Sequence, residues 1–188
     1  MKRIPFLYEE AYQWYLSFDA LGELIDRPNP TSAFEYLSAV VDHLVNDCSW
    51  PINRIHWFGF AQGGSVAVEF VLDQWKAQLS RKGPQNKSFG SVISISGPLL
   101  SYPTLSTPCP IPLLVVHRLS PAESALPPTS LPAFRKGFSS VKENTLTQKN
   151  GGMPASRDEW EPIMRFWSET LSRRPIEEGF HEVISSLS

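Results

Sequence analysis

The chain has 188 residues, which fits one domain or slightly more than one. Apolar residues make up 41% of the chain and charged residues 19%, the balance of a protein that buries a core and not of a disordered chain. The formal net charge of -2 gives no electrostatic basis for binding nucleic acid or an anionic membrane surface. Two cysteines cannot form a disulfide framework, and zinc-ligand spacing is absent from the sequence, so we expect neither a metal nor a cofactor.

The N-terminal residues do not have the pattern of a secretory signal, because Glu9 and Glu10 interrupt any apolar core that could follow Lys2 and Arg3. The longest apolar runs, such as Ile111 to Val116, are far too short to cross a bilayer. The sequence therefore predicts a soluble, cytoplasmic protein with no transmembrane segment.

Residues 1–30 carry scattered aromatic residues among Pro, Gly and Asp, and we expect them to be irregular. A first helix is predicted from Ser32 to about Asn46, because apolar residues recur there at helical spacing. Ser32 and Glu35 match the S-x-x-E pattern of a capping box at its start. The elements predicted after it are a strand over 54–58, a helix over 64–79, strands over 89–96, 111–117 and 141–148, and a helix over 156–172.

This order of elements predicts an α/β fold with a mostly parallel sheet and helices on both faces. The strands over 89–96 and 111–117 are continuously apolar, which is typical of parallel strands buried on both sides. The loop between Gly97 and Pro110 is expected at the carboxyl ends of the strands, where open sheets place their sites. Residues 1–172 are predicted to form a single domain, followed by a C-terminal tail over 173–188.

The sequence Gly59-Phe60-Ala61-Gln62-Gly63-Gly64 lies between a predicted strand and a predicted helix, as a G-x-S-x-G nucleophile elbow does. Gly59 and Gly63 stand two positions before and after the nucleophile, where so tight a turn is expected to leave no room for a Cβ. The backbone N–H of Gln62 would help to form an oxyanion hole. Ala61, which has no side-chain oxygen, stands in the position of the nucleophile.

Residues 57–67 resemble the G-F-S-Q-G-G segment of the carboxylesterase/phospholipase family of α/β-hydrolases, which includes acyl-protein thioesterases. Residues 51–55 are similar to the family's lead-in to the elbow strand, and 94–99 to its next strand and S-G-x-L loop. Residues 111–117 resemble its P-[IL]-L-x-x-H-G strand. The resemblance covers residues 32–172 and implies an incomplete α/β-hydrolase fold.

The resemblance also implies a strand and an H-G-x-G-like loop ahead of residue 1, so the chain is expected to be shortened at its N-terminus. Those strands would normally border the elbow strand, and without them one edge of that strand is expected to be unpaired. A partner could cover the edge, or the sequence could be a truncated product or an incomplete gene model.

The family carries a Ser–Asp–His triad, and the resemblance assigns its three positions in this chain. Ala61 stands at the nucleophile, and no carboxylate follows His117 within the next few residues, where the acid is expected. Pro154 stands where the histidine is expected, and His181, past the last helix, is the only histidine beyond the acid region. All three catalytic positions are therefore vestigial in this interpretation.

Several residues have a second interpretation. Ser65 could replace the nucleophile, although a small residue in the first turn of the helix is the simpler account. His117 could act as a base and Glu123 as a displaced acid. The pattern Gly59, Ala61, Gly64 also fits a variant dinucleotide fingerprint, but no Asp or Glu occurs between Asp73 and Glu123 to bind a ribose.

Neither Cys48 nor Cys109 has a neighbouring base or a Cys-x-x-Cys pattern in the sequence, so both are predicted to be inert thiols.

The expected function is that of a carboxylesterase-, phospholipase- or thioesterase-like protein without catalytic activity, which binds an apolar acyl ligand or a protein partner. Phe60, Gln62, Leu99 and Leu100 are expected to border its vestigial pocket. An active serine hydrolase with displaced catalytic residues and a non-enzymatic interaction subunit remain the alternatives.

Overall fold

A four-stranded parallel sheet forms the centre of the computed structural model, with strands in the order β3-β4-β5-β6. The structure describes residues 2–3, 12–80, 88–119, 122, 125–146 and 151–171. The strands are β1 (Lys2–Arg3), β2 (Tyr12–Gln13), β3 (His56–Phe60), β4 (Ser91–Ile95), β5 (Leu113–Arg118) and β6 (Val141–Leu146). The helices are α1 (Thr31–Asp42), α2 (Gln62–Ser80), α3 (Ser130–Gly137) and α4 (Arg157–Thr170), with a π-helical turn over His43–Asp47 and a 3₁₀ turn over Ile52–Arg54.

Two apolar clusters cover the two faces of the sheet, because successive strand residues point to opposite sides. Val92, Leu113 and Val115 face a larger cluster that includes residues of α1, α2 and α3. Ile93, Ile95, Leu114 and Val116 face a smaller cluster with Ile163 and Phe166 of α4. The predicted α/β fold, with a parallel sheet between helices, is confirmed.

The strand β3 is at one edge of this sheet, since it pairs with β4 and with no other strand among the described residues. Ile55 accepts a hydrogen bond from Gly90, and the N–H of Ala61 donates to Ile95, so the odd-numbered residues of this stretch turn their backbone groups toward β4. The backbone groups of His56, Phe58 and Phe60 consequently point away from the sheet.

The predicted capping box at the start of α1 is wrong. The helix begins at Thr31, Pro30 is its N-cap residue, and no side chain caps its first turn. The Asn29 carboxamide oxygen accepts hydrogen bonds from the backbone N–H and the hydroxyl of Thr31 instead, which turns the chain one residue earlier than the Ser32–Glu35 pattern indicates.

Helix α3 was not predicted, because it is only eight residues long and contains Pro132. Residues 1–30 were predicted to be irregular, whereas β1 and β2 form a short antiparallel pair there. The predicted tail over 173–188 lies outside the described residues. Among the helices that the structure describes, none is long and apolar enough to span a membrane.

Candidate functional site

The turn between β3 and α2 holds Ala61 in a left-handed backbone conformation with φ of 48°. A non-glycine residue occupies this region rarely, and such residues are concentrated at functional sites. The N–H of Ala61 donates to the Ile95 carbonyl at 2.8 Å, and its own carbonyl accepts from the N–H of Ser65 at 3.0 Å. The alanine is thus fixed in the strained position that a nucleophile occupies in an elbow.

Close backbone contacts explain two of the three glycines in this turn. A Cβ on Gly59 would overlap the carbonyl of Gly63, and a Cβ on Gly64 would lie 2.7 Å from the Ser94 hydroxyl. A Cβ on Gly63, in contrast, would meet only the Trp14 indole nitrogen, at an ordinary 3.5 Å. The steric expectation for Gly63 is therefore wrong, because the crowding falls on Gly64, where α2 packs against the end of β4.

The side chain of Gln62 anchors the N-terminal segment over the elbow. Its Nε2 donates to the Ser17 hydroxyl at 2.8 Å, and its Oε1 accepts from the backbone N–H of Trp14 at 3.0 Å. Gln62 thereby fixes residues 14–17 beside the elbow, and it is the first residue of the 19-residue helix α2.

The described residues at the expected triad positions carry no acid and no base. Ala61 has no hydroxyl, Leu119 follows the end of β5, and Pro154 lies before α4, where its carbonyl accepts from the Trp160 indole at 2.9 Å. Glu123 and His181 lie outside the described residues.

His117 has acceptors at both ring nitrogens. Its Nε2 lies 3.1 Å from a carboxylate oxygen of Glu143 on β6, and its Nδ1 lies 3.2 Å from the Arg118 carbonyl. A histidine that acts as a general base needs one nitrogen facing the nucleophile. His117 therefore has the geometry of a buried structural residue.

A buried ion pair connects the regions where the acid and the histidine were expected. Arg118, at the end of β5, donates to Glu159, in the first turn of α4, at 2.9 Å, and both side chains are at most 5% exposed. Burial acts to raise the pKa of Glu159, but the Ala155 N–H and the Arg118 guanidinium outweigh it and hold that pKa below its usual value. The carboxyl group is thus ionised and paired with Arg118 at neutral pH.

Ser96, at the end of β4, is the second strained residue near the elbow, with φ of 54°. Its buried hydroxyl has no hydrogen-bond partner within the described part of the chain. Phe60, the last residue of β3, pairs with Ile95, the last residue of β4. Ala61 and Ser96 each follow directly, so they lie side by side at the carboxyl ends of these two strands. This serine is a structural candidate for a displaced nucleophile.

A cavity of about 550 Å³ opens beside the elbow at the carboxyl edge of the sheet. It lies between the N-terminal segment, the loop after β4 and the start of α3. Of the four residues predicted to border a pocket, Leu99 and Leu100 line this cavity, and Phe60 and Gln62 are not among its lining residues. The other lining residues are Tyr15, Ser17, Leu24, Ile25, Asp26, Pro28, Pro98, Ser101, Tyr102, Pro127, Thr129, Ser130 and Ala133.

The loop that carries Leu99 and Leu100 is fastened to α2 by the buried carboxylate of Glu69. One oxygen accepts the N–H groups of Leu100 and Ser101 at 2.6 and 2.7 Å, and the other accepts the Ser101 hydroxyl at 2.9 Å. Burial raises the pKa of Tyr15, the Ser65 hydroxyl lowers it, and the Glu69 charge raises it. On balance the pKa of Tyr15 is raised, so Tyr15 is a neutral phenol in the wall of the cavity. Ser65 is fully buried.

One known protein is similar to this chain in sequence. A protein of Mycosarcoma maydis named uncharacterized hydrolase UM10204 is 35% identical over 174 residues, which are 92% of this chain and 63% of that protein. The chain therefore spans less than two thirds of the length of this relative. No protein-family model matches the chain.

Several solved structures are similar to this chain in fold. Acyl-protein thioesterase 2 of Zea mays superposes with a TM-score of 0.61 at 18% identity, over 87% of this chain and 74% of that one. Esterase PE8 gives 0.62 at 18%, over 85% and 71%, and SOBER1 of Arabidopsis thaliana gives 0.57 at 17%, over 87% and 76%. The chain has the α/β-hydrolase fold.

In this α/β-hydrolase fold the elbow keeps its backbone geometry, while the described residues at the triad positions lack the catalytic groups. The sequence identified the elbow from its spacing, but it did not identify Glu69, Ser96, Glu143 or the Arg118–Glu159 pair. These residues act through contacts between distant segments, and no local pattern signals them. Within the described residues, no three His, Cys, Asp or Glu side chains come together as a metal site.

The expectation that neither cysteine has a neighbouring base is wrong for Cys48. Cys109 is buried, and burial raises its pKa to about 11. Cys48 is exposed, however, and its sulfur lies 3.7 Å from the Nε2 atom of His43. The sequence hid this neighbour because residues five apart do not share a face of an α-helix.

Proposed function

We propose that this chain is a catalytically inactive α/β-hydrolase-fold protein that holds an apolar acyl-type ligand in the cavity beside the elbow. One observation carries the proposal: an alanine is fixed at φ of 48° in the position of the nucleophile. Loss of a serine-hydrolase triad lowers kcat by about 10⁶. An elbow without a hydroxyl retains the backbone of the site without its chemistry.

The cavity supports the ligand-binding part of the proposal. Its volume of about 550 Å³ is within the range of small-molecule sites, roughly 300–1,000 Å³. Leu99, Leu100 and Ile25 supply apolar wall, and Tyr15 and Ser17 supply hydroxyl groups that can orient a carbonyl. Two structurally similar proteins are named as an esterase and an acyl-protein thioesterase, which favours an acyl group as the ligand.

The absence of catalysis is tested with a fluorophosphonate probe and a short-chain aryl ester. We expect no labelling and no turnover by the unaltered chain or by Ala61→Ser, since a restored hydroxyl has no base to activate it. Measurable turnover by Ala61→Ser would contradict the proposal. Labelling that disappears in Ser96→Ala would instead support an active hydrolase with displaced residues. The specific observation for that function is Ser96, which is strained and whose buried hydroxyl has no hydrogen-bond partner among the described residues.

Ligand binding is tested by thermal unfolding with an uncleavable medium-chain acyl ether. A ligand present at 100 times its Kd stabilises the folded state by about 2.7 kcal/mol. We expect a rise in Tm that Leu99→Ser removes. Leu21→Ser, at a leucine that is exposed and outside the cavity lining, is the matched control and keeps the rise. A rise that survives Leu99→Ser places the ligand elsewhere.

The edge of β3 that pairs with no strand among the described residues supports a second candidate, an interaction subunit that accepts a strand from a protein partner. His56, Phe58 and Phe60 of β3 point their backbone groups away from β4. The Phe58 ring packs against α4, with its centroid 6.0 Å from that of Trp160 and 5.5 Å from that of Trp167. Unpaired edges of this kind are templates for strand addition.

Two variants at one position test this second candidate. Phe60→Pro removes an outward N–H without touching the pairing with β4, and Phe60→Ala removes the same ring but keeps that N–H. If a co-purifying partner binds by strand addition, light scattering will detect the complex with Phe60→Ala and not with Phe60→Pro. Equal binding by both variants would exclude the edge as the contact.

A further inference from the structure

A second group of reactive side chains lies at the end of α1, outside the elbow and its cavity. The Cys48 sulfur is 3.7 Å from His43 Nε2, and His43 Nδ1 is 2.7 Å from a carboxylate oxygen of Asp47. Cys48 thus contacts His43, and His43 contacts Asp47. This is the order of nucleophile, base and orienting carboxylate that activates a nucleophile in enzymes. This site is independent of the function proposed for the cavity.

The π-helical turn His43–Asp47 creates this arrangement. The N–H of Cys48 donates to the His43 carbonyl at 3.1 Å, a bond that spans five residues where an α-helix spans four. Widening the turn brings positions i and i+5 onto one face, so His43 and Cys48 become neighbours. Ser49, the next residue, has a left-handed backbone conformation with φ of 56°, which turns the chain away from the helix. Cys48 is exposed at this turn.

Asp47 determines which nitrogen of His43 can act as a base. A carboxylate only accepts hydrogen bonds when it is ionised, so the Nδ1 atom beside it carries the proton. The Nε2 atom, which faces the sulfur, then has its lone pair free to take the thiol proton. Both His43 and Asp47 are exposed, with side-chain exposures of 65% and 69%, so a small co-reactant can reach the group.

We propose that Cys48, His43 and Asp47 form a reactive-thiol site that exchanges with small-molecule disulfides. His43 takes the proton of the Cys48 thiol, and the thiolate attacks one sulfur of the disulfide. A bond forms between that sulfur and Cys48 as the original sulfur–sulfur bond breaks. The second sulfur leaves as a thiolate and receives the proton from His43, so the products are a mixed disulfide on Cys48 and one free thiol.

The size of the expected effect follows from two opposing trends. A base that takes the thiol proton during attack speeds the reaction where few free thiols are ionised, as at pH 6, whereas the lower basicity of an assisted sulfur reduces its intrinsic nucleophilicity. The two trends together leave an advantage of roughly tenfold at pH 6 over an unassisted thiol. At pH 9 an unassisted thiol is itself mostly ionised, so the advantage disappears.

The test is the rate of exchange of the full chain with dipyridyl disulfide at pH 6 and pH 9, with the modified residue located by mass spectrometry. Cys109 serves as the internal reference, because it is buried and burial raises its pKa to about 11. We expect Cys48 to react about tenfold faster in the unaltered chain than in His43→Gln at pH 6, and equally fast at pH 9. Equal rates at both pH values would overturn the proposal.

Asp47→Asn and Asp42→Asn separate orientation of the ring from simple charge. Both variants remove one carboxylate from the same helix end, but only Asp47 contacts His43. We expect Asp47→Asn to slow the exchange at pH 6 severalfold and Asp42→Asn to leave it unchanged. Equal slowing by both would mean that Asp47 acts through its charge alone and would overturn its positioning role. All of these side chains are exposed, and circular dichroism verifies that each variant is folded.

Discussion

At the scale of single residues, the elbow shows how a backbone geometry can persist without the side chain that gives it chemistry. Ala61 keeps a left-handed conformation that costs an ordinary residue about 1 kcal/mol or more. Hydrogen bonds to Ile95 and Ser65 hold it there. The conformation is set by the strand before it and the helix after it, and not by the residue itself.

Gly59→Ala and Gly63→Ala should affect stability in opposite directions. A Cβ at position 59 overlaps the Gly63 carbonyl and forces the turn open, so we expect a loss of at least about 3 kcal/mol. A Cβ at position 63 has room in the first turn of α2, so we expect a gain of about 0.5–1 kcal/mol from lower entropy of the unfolded chain. Urea denaturation measures both, and a destabilised Gly63→Ala would show that the turn is tighter than its contacts indicate.

At the scale of elements, the periodicity of apolar residues predicts most of the fold. It locates α1, α2 and α4 to within a few residues and identifies β4 and β5 as buried strands. It fails for α3, where Pro132 interrupts a helix of eight residues. It also fails at Cys48, because a π-helical turn changes which residues share a face, and no sequence pattern marks that change.

The elbow could be predicted because its glycines and its place between a strand and a helix are local features. The Glu69 contacts could not, because the carboxylate reaches across to residues 31 and 32 positions away in the chain. In the sequence Glu69 is one more acidic residue on a helix. Only the tertiary fold reveals that it is buried and fastens the cavity loop.

Glu69→Ala and Glu69→Gln distinguish the carboxylate's role in the cavity from its role in stability. Glu69→Ala leaves the N–H groups of Leu100 and Ser101 without their acceptor, so we expect a loss of about 2–4 kcal/mol together with loss of the ligand-induced rise in Tm. Glu69→Gln keeps one acceptor oxygen and should retain most of that rise. If Glu69→Ala binds ligand as the unaltered chain does, the loop does not form the binding site.

At the scale of the whole molecule, the Arg118–Glu159 pair joins the sheet to the helix that covers its second face. The pair is buried between the end of β5 and the first turn of α4, close to where the sequence resemblance predicts a catalytic acid and histidine. Replacing one partner of a buried pair leaves the other charge uncompensated, which typically costs about 3–5 kcal/mol.

Glu159→Gln should therefore lower the free energy of unfolding by about 3 kcal/mol at pH 7, the lower end of that range, because the amide oxygen still accepts a hydrogen bond. The folded-state pKa of Glu159 lies below its usual value, so the contribution of the carboxylate is present at neutral pH and is lost as the pH falls through the folded pKa. The difference in free energy of unfolding between the unaltered chain and Glu159→Gln should therefore become smaller as the pH falls.

Glu161→Gln, at an exposed pair with Arg165 on the same helix, is the control and should change stability by less than about 0.5 kcal/mol. Denaturant titrations at pH 7 and at progressively lower pH measure both variants. A gap for Glu159→Gln that stays constant with pH would show that packing, and not ionisation, accounts for its effect.

The outward-facing backbone of β3 has a consequence for hydrogen exchange. The amides of Trp57 and Gly59 point toward β4 and should resist exchange with deuterium. Those of Phe58 and Phe60 point to the edge that no described strand pairs with, and they should exchange at nearly the rate of free peptide. Fast and slow amides would alternate along five residues. When another strand covers the edge, the fast positions become slow, and β3 itself reports that it has been occupied.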